Sequence, residues 1–231
     1  MEYYLTYYLS GIIILPVFIF ALVCQIKVKT NFNKYSKVMS RSNITGADAA
    51  WRLLQLNGIT DVKIQRIGGT LTDYYDPSQK VICLSSDVFD SRSIAAIGVA
   101  CHEAGHAVQH AQGYSPLKFR NMVIPATKLG SYLGVPLCII GLLINSTTIA
   151  YVGLALYAFV ALFQLITLPV EFNASSRALA TISEYGFLNE EEYSGAKKVL
   201  TAAALTYVAA LASALATMLR LLLVIAGGRR R

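Results

Sequence analysis

Residues 94–113 read IAAIGVACHEAGHAVQHAQG, and small or apolar residues fill most of this stretch. Such a run, closed by Gly113 and soon followed by Pro116, is typical of a helix with an abrupt end. The sequence therefore predicts a helix from about Ser91 to Gln112. All three histidines of the chain lie within it, so this helix carries the most informative chemistry of the sequence.

His102 and His106 are four residues apart, so their imidazoles project from one face of the predicted helix. Two histidines at this spacing can chelate one metal ion, as in the His-Glu-x-x-His pattern of zinc peptidases. Glu103 lies about 100° round the helix, which places its carboxylate beside a metal-coordinated water and not among the ligands. Zinc lowers the pKa of such a water to about 7, and Glu103 would act as the general base. The pattern also arises by chance on ordinary helices, where the histidines are simply solvated or buried.

A catalytic zinc site usually has three protein ligands, so a third one is needed. His110 is close in sequence, but a straight helix holds it about 12 Å from His102 by rise alone. Residues 107–109 include no glycine that could turn the chain, as the metzincin pattern requires. We therefore expect Glu171, the first charge after an apolar segment, to complete the site. The alternative is that Glu171 is an ordinary carboxylate at the membrane interface.

The composition is that of a membrane protein. Apolar residues make up 55% and charged residues 14% of the chain, against about 45–50% and about 25% in typical soluble domains. The net charge of +7 comes from basic residues that flank apolar segments, so we expect no nucleic-acid partner. The four cysteines include no CxxC pair, which argues against a disulfide framework and a cysteine zinc site.

Four apolar segments are candidates for transmembrane helices. They are Tyr3–Ile26, Val123–Ile144, Ile149–Pro169 and Val199–Ala226. The second and third form a hairpin, whereas the last is interrupted by Arg220 and either spans the membrane or packs along the active site. We thus predict three or four spans. The predicted regions are a first transmembrane helix at 1–26, a soluble region with the histidine helix at 27–120, a transmembrane hairpin at 121–170, and a Glu171 helix plus an apolar helix at 171–231.

Basic residues predict the orientation in the cell membrane. Five of them lie between Lys27 and Arg41, directly after the first apolar segment, and none precedes it. The positive-inside rule therefore places the N-terminus outside and the metal site on the cytoplasmic side. Only 229–231, three consecutive arginines, would conflict with the rule, and only if the last apolar run crosses completely.

The region between the first span and the histidine helix predicts a small mixed α and β structure. Thr45 is suited to cap a helix that stops at Asn57-Gly58. Val62–Ile67 alternates apolar and polar residues like a half-buried strand. Two turns are predicted, one at Gly68-Gly69 and one at 74–77, before a second strand at 81–85. That second strand is equally suited to be a peptide-binding edge strand or an ordinary inner strand.

The segments 102–110 (HEAGHAVQH) and 168–177 (LPVEFNASSR) resemble the YugP-type neutral zinc metallopeptidases of bacterial membranes. The stretch GGTLTDYYD at 68–76 and the order of the apolar segments agree, so the resemblance covers essentially the whole chain. It implies a mostly α protein with multi-pass transmembrane helices and a small α+β, zincin-like cytoplasmic catalytic domain. The implied peptidase is gluzincin-like and distantly similar to the HtpX-type and CAAX-processing peptidases. Those relatives carry an aspartate four residues after the glutamate to orient a ligand histidine, whereas this chain has Ser175, a weaker acceptor.

Other polar residues could complete the site. Asn173 is expected near the metal, and His110, Arg177 and Tyr207 are candidates for the donor that stabilises an oxyanion, although each could be purely structural. The predicted function is zinc-dependent hydrolysis of peptide bonds in membrane or membrane-proximal proteins, with one Zn²⁺ per chain.

The expected partners are a peptide or membrane-protein substrate and the lipid bilayer, and an oligomer or a scaffold partner stays open. The alternative function is a non-catalytic, zinc-containing membrane scaffold or a transporter. A transporter would be expected to carry polar groups at mid-membrane, and segments 123–144 and 149–169 carry few. The intact Glu103 favours catalysis.

Overall fold

The computed structural model of the protein describes residues 11–228, which form helices and one small sheet. The helices are α1 (Ile14–Tyr35), α2 (Gly46–Leu56), α3 (Ser86–Phe89), α4 (Ile94–Ala111), α5 (Ser115–Leu143), α6 (Thr147–Glu184) and α7 (Glu190–Gly228), and the strands are β1 (Lys63–Ile67), β2 (Tyr74–Asp76) and β3 (Val81–Ser85). The start of the predicted first span and the three terminal arginines lie outside the described residues.

Four of these helices, α1, α5, α6 and α7, are long and apolar enough to cross a membrane. The last apolar run is thus part of one continuous helix and provides a fourth candidate span. The helices α6 and α7 have 38 and 39 residues, so each is about 57 Å long, nearly twice the hydrocarbon thickness of a bilayer. Each of them therefore extends beyond a membrane.

Helix α6 differs from the sequence expectation, which ended the apolar helix at Pro169 and began a separate polar stretch at Glu171. The structure continues the same helix through Pro169 to Glu184. A proline inside a helix removes one backbone donor but is tolerated where neighbouring groups satisfy the carbonyl it frees. A different carbonyl, that of Pro169, accepts a long hydrogen bond from Tyr114 Oη at 3.5 Å.

The described chain divides into two compact units. The first comprises residues 11–24, 118–168 and 206–228 and contains the hairpin of α5 and α6. This hairpin turns at 144–146, where Ser146 donates its backbone N–H to the Gly141 carbonyl at 2.7 Å. Close packing requires small residues there, since a Cβ on Gly153 would lie 2.6 Å from the Gly134 carbonyl oxygen. The structure thus joins α5 and α6 by a short turn.

The second unit comprises residues 25–117 and 169–205 and contains the sheet. The strand order is β1-β3-β2, with β1 parallel and β2 antiparallel to β3. Because β3 is the central strand and all five of its residues are buried, the idea that 81–85 is a peptide-binding edge strand is wrong. The predicted turn at 74–77 is also wrong for its first three residues, which form β2.

The physical reason for this correction is the position of the tight turn. The Asp76 carboxylate accepts the backbone N–H groups of Ser78 and Gln79, and Lys80 adopts a left-handed φ of 51°. The chain therefore reverses after Asp76, which leaves Tyr74–Asp76 free to pair with β3 and makes β2 the outer strand of the sheet.

The helix α2 packs against α4 and completes the core of this unit. The predicted cap at Thr45 is confirmed, since its side chain accepts the Asp48 N–H while the Asp48 carboxylate accepts the Thr45 N–H. This reciprocal capping box satisfies two donors that a helix start otherwise leaves open. Its hydrogen bonds with Thr45 lower the pKa of the Asp48 carboxyl.

Candidate metal centre

The helix α4 is buried along most of its length, as its small and apolar residues predict. Its start is fixed by Ser93, whose hydroxyl accepts the Ala96 N–H at 3.2 Å. Near its middle, Gly105 lies so close to α6 that a Cβ would be 2.7 Å from the Ala174 carbonyl oxygen. A small residue at this position thus lets α6 approach α4 closely. This contact sets α4 and the second half of α6 side by side.

His102, His106 and Glu171 converge where these two helices touch. One ligand atom from each lies within 4.8 Å of the others, and this is the one such group of histidine, cysteine or acidic residues found within 11–228. The Glu171 Oε2 atom lies 3.3 Å from His102 Nε2 and 3.5 Å from His106 Nε2. The two imidazole rings meet edge to face with centroids 4.7 Å apart.

These distances agree with the geometry that zinc requires. Zinc binds histidine nitrogen and carboxylate oxygen at about 2.0–2.2 Å in a tetrahedron, so two ligand atoms are separated by about 3.3–3.5 Å. Glu171 is only 3% exposed, and a buried carboxylate needs positive charge or donors around it. The donor set of two imidazoles and one carboxylate is that of a catalytic zinc site with an open fourth position.

The side chains behind the histidines orient them toward this point. The His106 Nδ1 atom lies 3.0 Å from Gln109 Oε1, which can only accept a hydrogen bond, so Nδ1 carries a proton and Nε2 faces Glu171 in the cluster. On the other histidine, His102 Nδ1 lies 3.0 Å from the Ser175 hydroxyl. Both contacts match the outer partners that metal-binding histidines usually have.

Gln109 is in turn held in place by α6. It is fully buried, and its Nε2 donates to the Val170 carbonyl at 2.8 Å and to Asn173 Oδ1 at 3.0 Å. Arg177 Nε donates to the same Asn173 oxygen at 2.7 Å, and its NH1 group donates to Gln112 Oε1 at 2.7 Å. Asn173 and Arg177 thus belong to a network that ties the end of α4 to α6, one layer behind His106.

Glu103 is buried next to the cluster, with 8% of its surface exposed. Burial raises the pKa of its carboxyl, an effect that the charges of His102 and His106 oppose. The negative charges of Glu171 and Asp73 raise the same pKa further. Glu103 is not part of the three-residue group.

His110 lies outside the group of candidate ligands and is exposed. Its Nδ1 atom is 2.8 Å from the Tyr75 hydroxyl of β2. Burial, with help from Asp61 and Asp76, raises the pKa of Tyr75 to about 12, so this phenol stays protonated. Tyr207 belongs to the first compact unit, whereas the candidate ligands belong to the second.

Sequence reasoning missed Gln109 and Tyr75. The sequence contains a weak indication for Gln109. A single glutamine among the apolar residues of a predicted buried helix suggests a buried hydrogen bond. Tyr75 carried none, because its partner His110 is 35 residues away. Asp73 was also missed. Its carboxylate accepts the backbone N–H of the buried Ser85 at 2.7 Å and the Ser85 hydroxyl at 3.0 Å.

The chain belongs to the family described as "Putative neutral zinc metallopeptidase", which it matches over residues 10–226. The resemblance inferred from the histidine and glutamate segments is thus confirmed. Among characterised sequences, the chain is similar to the "Putative membrane protease YugP" of Bacillus subtilis (strain 168). The two are 47% identical over 205 residues, which cover 89% of this chain and 91% of the relative. No solved structure matches the chain significantly.

These comparisons fit the fold and the candidate site. A zinc peptidase family implies zinc and peptide substrates, and the relationship to a membrane protease agrees with the four apolar helices. The chain is therefore a membrane protein of a zinc metallopeptidase family, with one group of residues whose geometry suits the metal.

Proposed function

We propose that this protein is a membrane-embedded zinc metallopeptidase that cleaves peptide bonds of membrane or membrane-proximal proteins. The observation that carries the proposal is the convergence of His102, His106 and Glu171, in which the Glu171 carboxylate lies 3.3 Å and 3.5 Å from the two Nε2 atoms, the separation of neighbouring ligands in a zinc tetrahedron. These three residues would hold one Zn²⁺ per chain. When bound, zinc would supply a Lewis acid and lower the pKa of a water in the fourth position to about 7.

Glu103 is the proposed general base. It neighbours His102 on α4 and is buried beside the cluster, so its carboxylate can reach a water held there without being a ligand. In the proposed reaction, Glu103 takes a proton from the attacking water and delivers it to the nitrogen of the departing peptide. Of the residues in the same compact unit as the cluster, His110 and Arg177 are the candidates for the oxyanion donor. The neutral Tyr75 hydroxyl beside His110 would fix the orientation of that imidazole.

The substrate would lie along β2. This strand is antiparallel to β3 and pairs, within the described part of the chain, with β3 alone. Its outer edge therefore offers backbone groups to an extended peptide, which is a common mode of peptide recognition. Tyr75 links β2 to His110 at the end of α4, so a peptide paired with β2 would pass the histidine helix. We propose that residues 27–120, with the Glu171 helix, form a zincin-like catalytic domain in this way.

The proposed topology places the N-terminus outside and the metal site at the cytoplasmic face of the cell membrane. The support comes from the five basic residues between Lys27 and Arg41, next to the end of the first apolar segment. Cysteines introduced singly at Ser42, Asn189 and Ser146 can test it by labelling from outside intact cells. We expect labelling at Ser146 alone, and strong labelling at Ser42 or Asn189 would invert the topology.

The function itself is tested with Glu103→Gln. This variant removes the base and no ligand, so it should bind zinc as the wild type does but lose hydrolysis by several orders of magnitude. Its substrates should accumulate as trapped complexes, which mass spectrometry can identify. Wild-type cleavage by this variant would contradict the role of Glu103. Zinc binding with no cleavage by either protein would favour a scaffold over an enzyme.

A further inference from the structure

A groove with three lysines runs between α1 and α7. It has a volume of about 530 Å³ and lies wholly within the second compact unit. The polar residues that line it are Lys27, Lys197, Lys198, Asn31, Ser194 and Thr201. None of these residues belongs to the candidate metal centre.

Helical spacing explains why these side chains share one groove. Lys27 and Asn31 are four residues apart on α1, so they point to the same side. On α7, Ser194, Lys197 and Thr201 follow at intervals of three and four and form a second stripe. Two polar stripes thus face one space, although both helices are apolar along most of their length.

Within the described part of the chain, no acidic side chain pairs with the lysines of the groove. Among residues 11–228, no carboxylate lies within 4.0 Å of any of the three lysine ammonium groups. The nearest acidic residues of α7 are those of its first turn, and Glu192 there already accepts the N–H groups of Arg41 and Asn189. The groove therefore holds three exposed cations together with amide and hydroxyl donors.

We propose that this groove binds the phosphate headgroup of an anionic phospholipid. Three ammonium groups with hydroxyl and amide donors match the charge and the acceptor oxygens of a phosphate. The lipid is the expected source because the groove adjoins apolar chain on both helices. Ile26, next to Lys27, is 56% exposed, and Leu205, which also lines the groove, leads into the apolar run 206–226. Acyl chains can lie on this apolar surface while the lysines meet the headgroup.

The proposal is tested by native mass spectrometry of the full chain, purified in detergent and titrated with phosphatidylglycerol or phosphatidylcholine. We expect at least one phosphatidylglycerol to bind tightly and phosphatidylcholine to bind about tenfold more weakly. The triple variant Lys27→Gln, Lys197→Gln, Lys198→Gln should bind phosphatidylglycerol about a hundredfold more weakly, since each basic residue contributes roughly fivefold near an anionic headgroup.

The matched control removes three lysines that do not line the groove. Lys29, Lys37 and Lys63 are exposed, so their triple replacement by Gln changes the net charge equally and should leave binding unchanged. Ser194→Trp is a second test that does not depend on the folding of the triple variant. It fills the groove without changing any charge and should also weaken phosphatidylglycerol binding. Equal losses in the two triple variants, or equal binding of both lipids, would overturn the proposal. Displacement of the lipid by millimolar glycerol phosphate would assign the groove to a soluble phosphate instead.

Discussion

Replacing Ser175 with Ala should weaken zinc binding through His102. The Ser175 hydroxyl lies 3.0 Å from His102 Nδ1, and Ser175 is only 8% exposed. A neutral hydrogen bond contributes about 0.5–1.5 kcal/mol, and a buried donor left without an acceptor costs about 1–3 kcal/mol. Since 1.4 kcal/mol corresponds to a factor of ten, these two ranges together predict that the zinc Kd rises about 2- to 140-fold.

The opposite change, Ser175→Asp, should tighten zinc binding. A carboxylate accepts the imidazole proton about twice as strongly as a neutral oxygen, and Ser175 lines a cavity of about 390 Å³ that leaves room for the larger side chain. The zinc Kd is measured by competition with a chromophoric chelator on the purified protein. Ser176→Ala is the control, because Ser176 is adjacent but exposed. The same zinc Kd for Ser175→Ala and Ser176→Ala would refute the role of the hydroxyl.

Three further variants probe the same helix contact. Glu171→Ala should lower zinc content and peptidase activity together, and metal analysis showing full occupancy would indicate that another residue is the third ligand. Gln109→Leu removes the acceptor of the His106 Nδ1–H at similar volume, so the zinc Kd should rise about 10- to 100-fold, and an unchanged value would count against this orienting role. Gly105→Ala pushes a methyl group against a backbone carbonyl of α6 and should destabilise the fold by about 1–3 kcal/mol. Thermal unfolding tests this prediction against Gly68→Ala, a site where a Cβ meets nothing within 4 Å.

Features that depend on local sequence were predictable. The spacing of His102 and His106, the cap at Thr45 and the apolar segments are properties of neighbouring residues. Glu171 could be proposed as the third ligand because an apolar hairpin returns the chain to the side of the membrane from which it started. The structure brings His102, His106 and Glu171 together. Zinc ligation and the role of Glu103 stay predictions.

Features that depend on distant pairing were not predictable. The segment Tyr74–Asp76 is followed by proline and has the composition of a turn, and its strand conformation comes from pairing with β3. The central position of β3 follows from a parallel pairing with β1 that joins residues 18 positions apart, such as Lys63 with Val81. In the same way, Gln109 acquires its role from Val170 and Asn173, which lie more than 60 residues away.

The spacing of residues within α6 has an evolutionary consequence. Its part in the second unit carries Glu171, the candidate ligand, and Ser175, which contacts His102, four residues later. An insertion or deletion of one residue between them would rotate one position against the other by about 100° and shift it by about 1.5 Å. No loop within this stretch could absorb the change. Related chains should therefore keep the separation of these two positions constant.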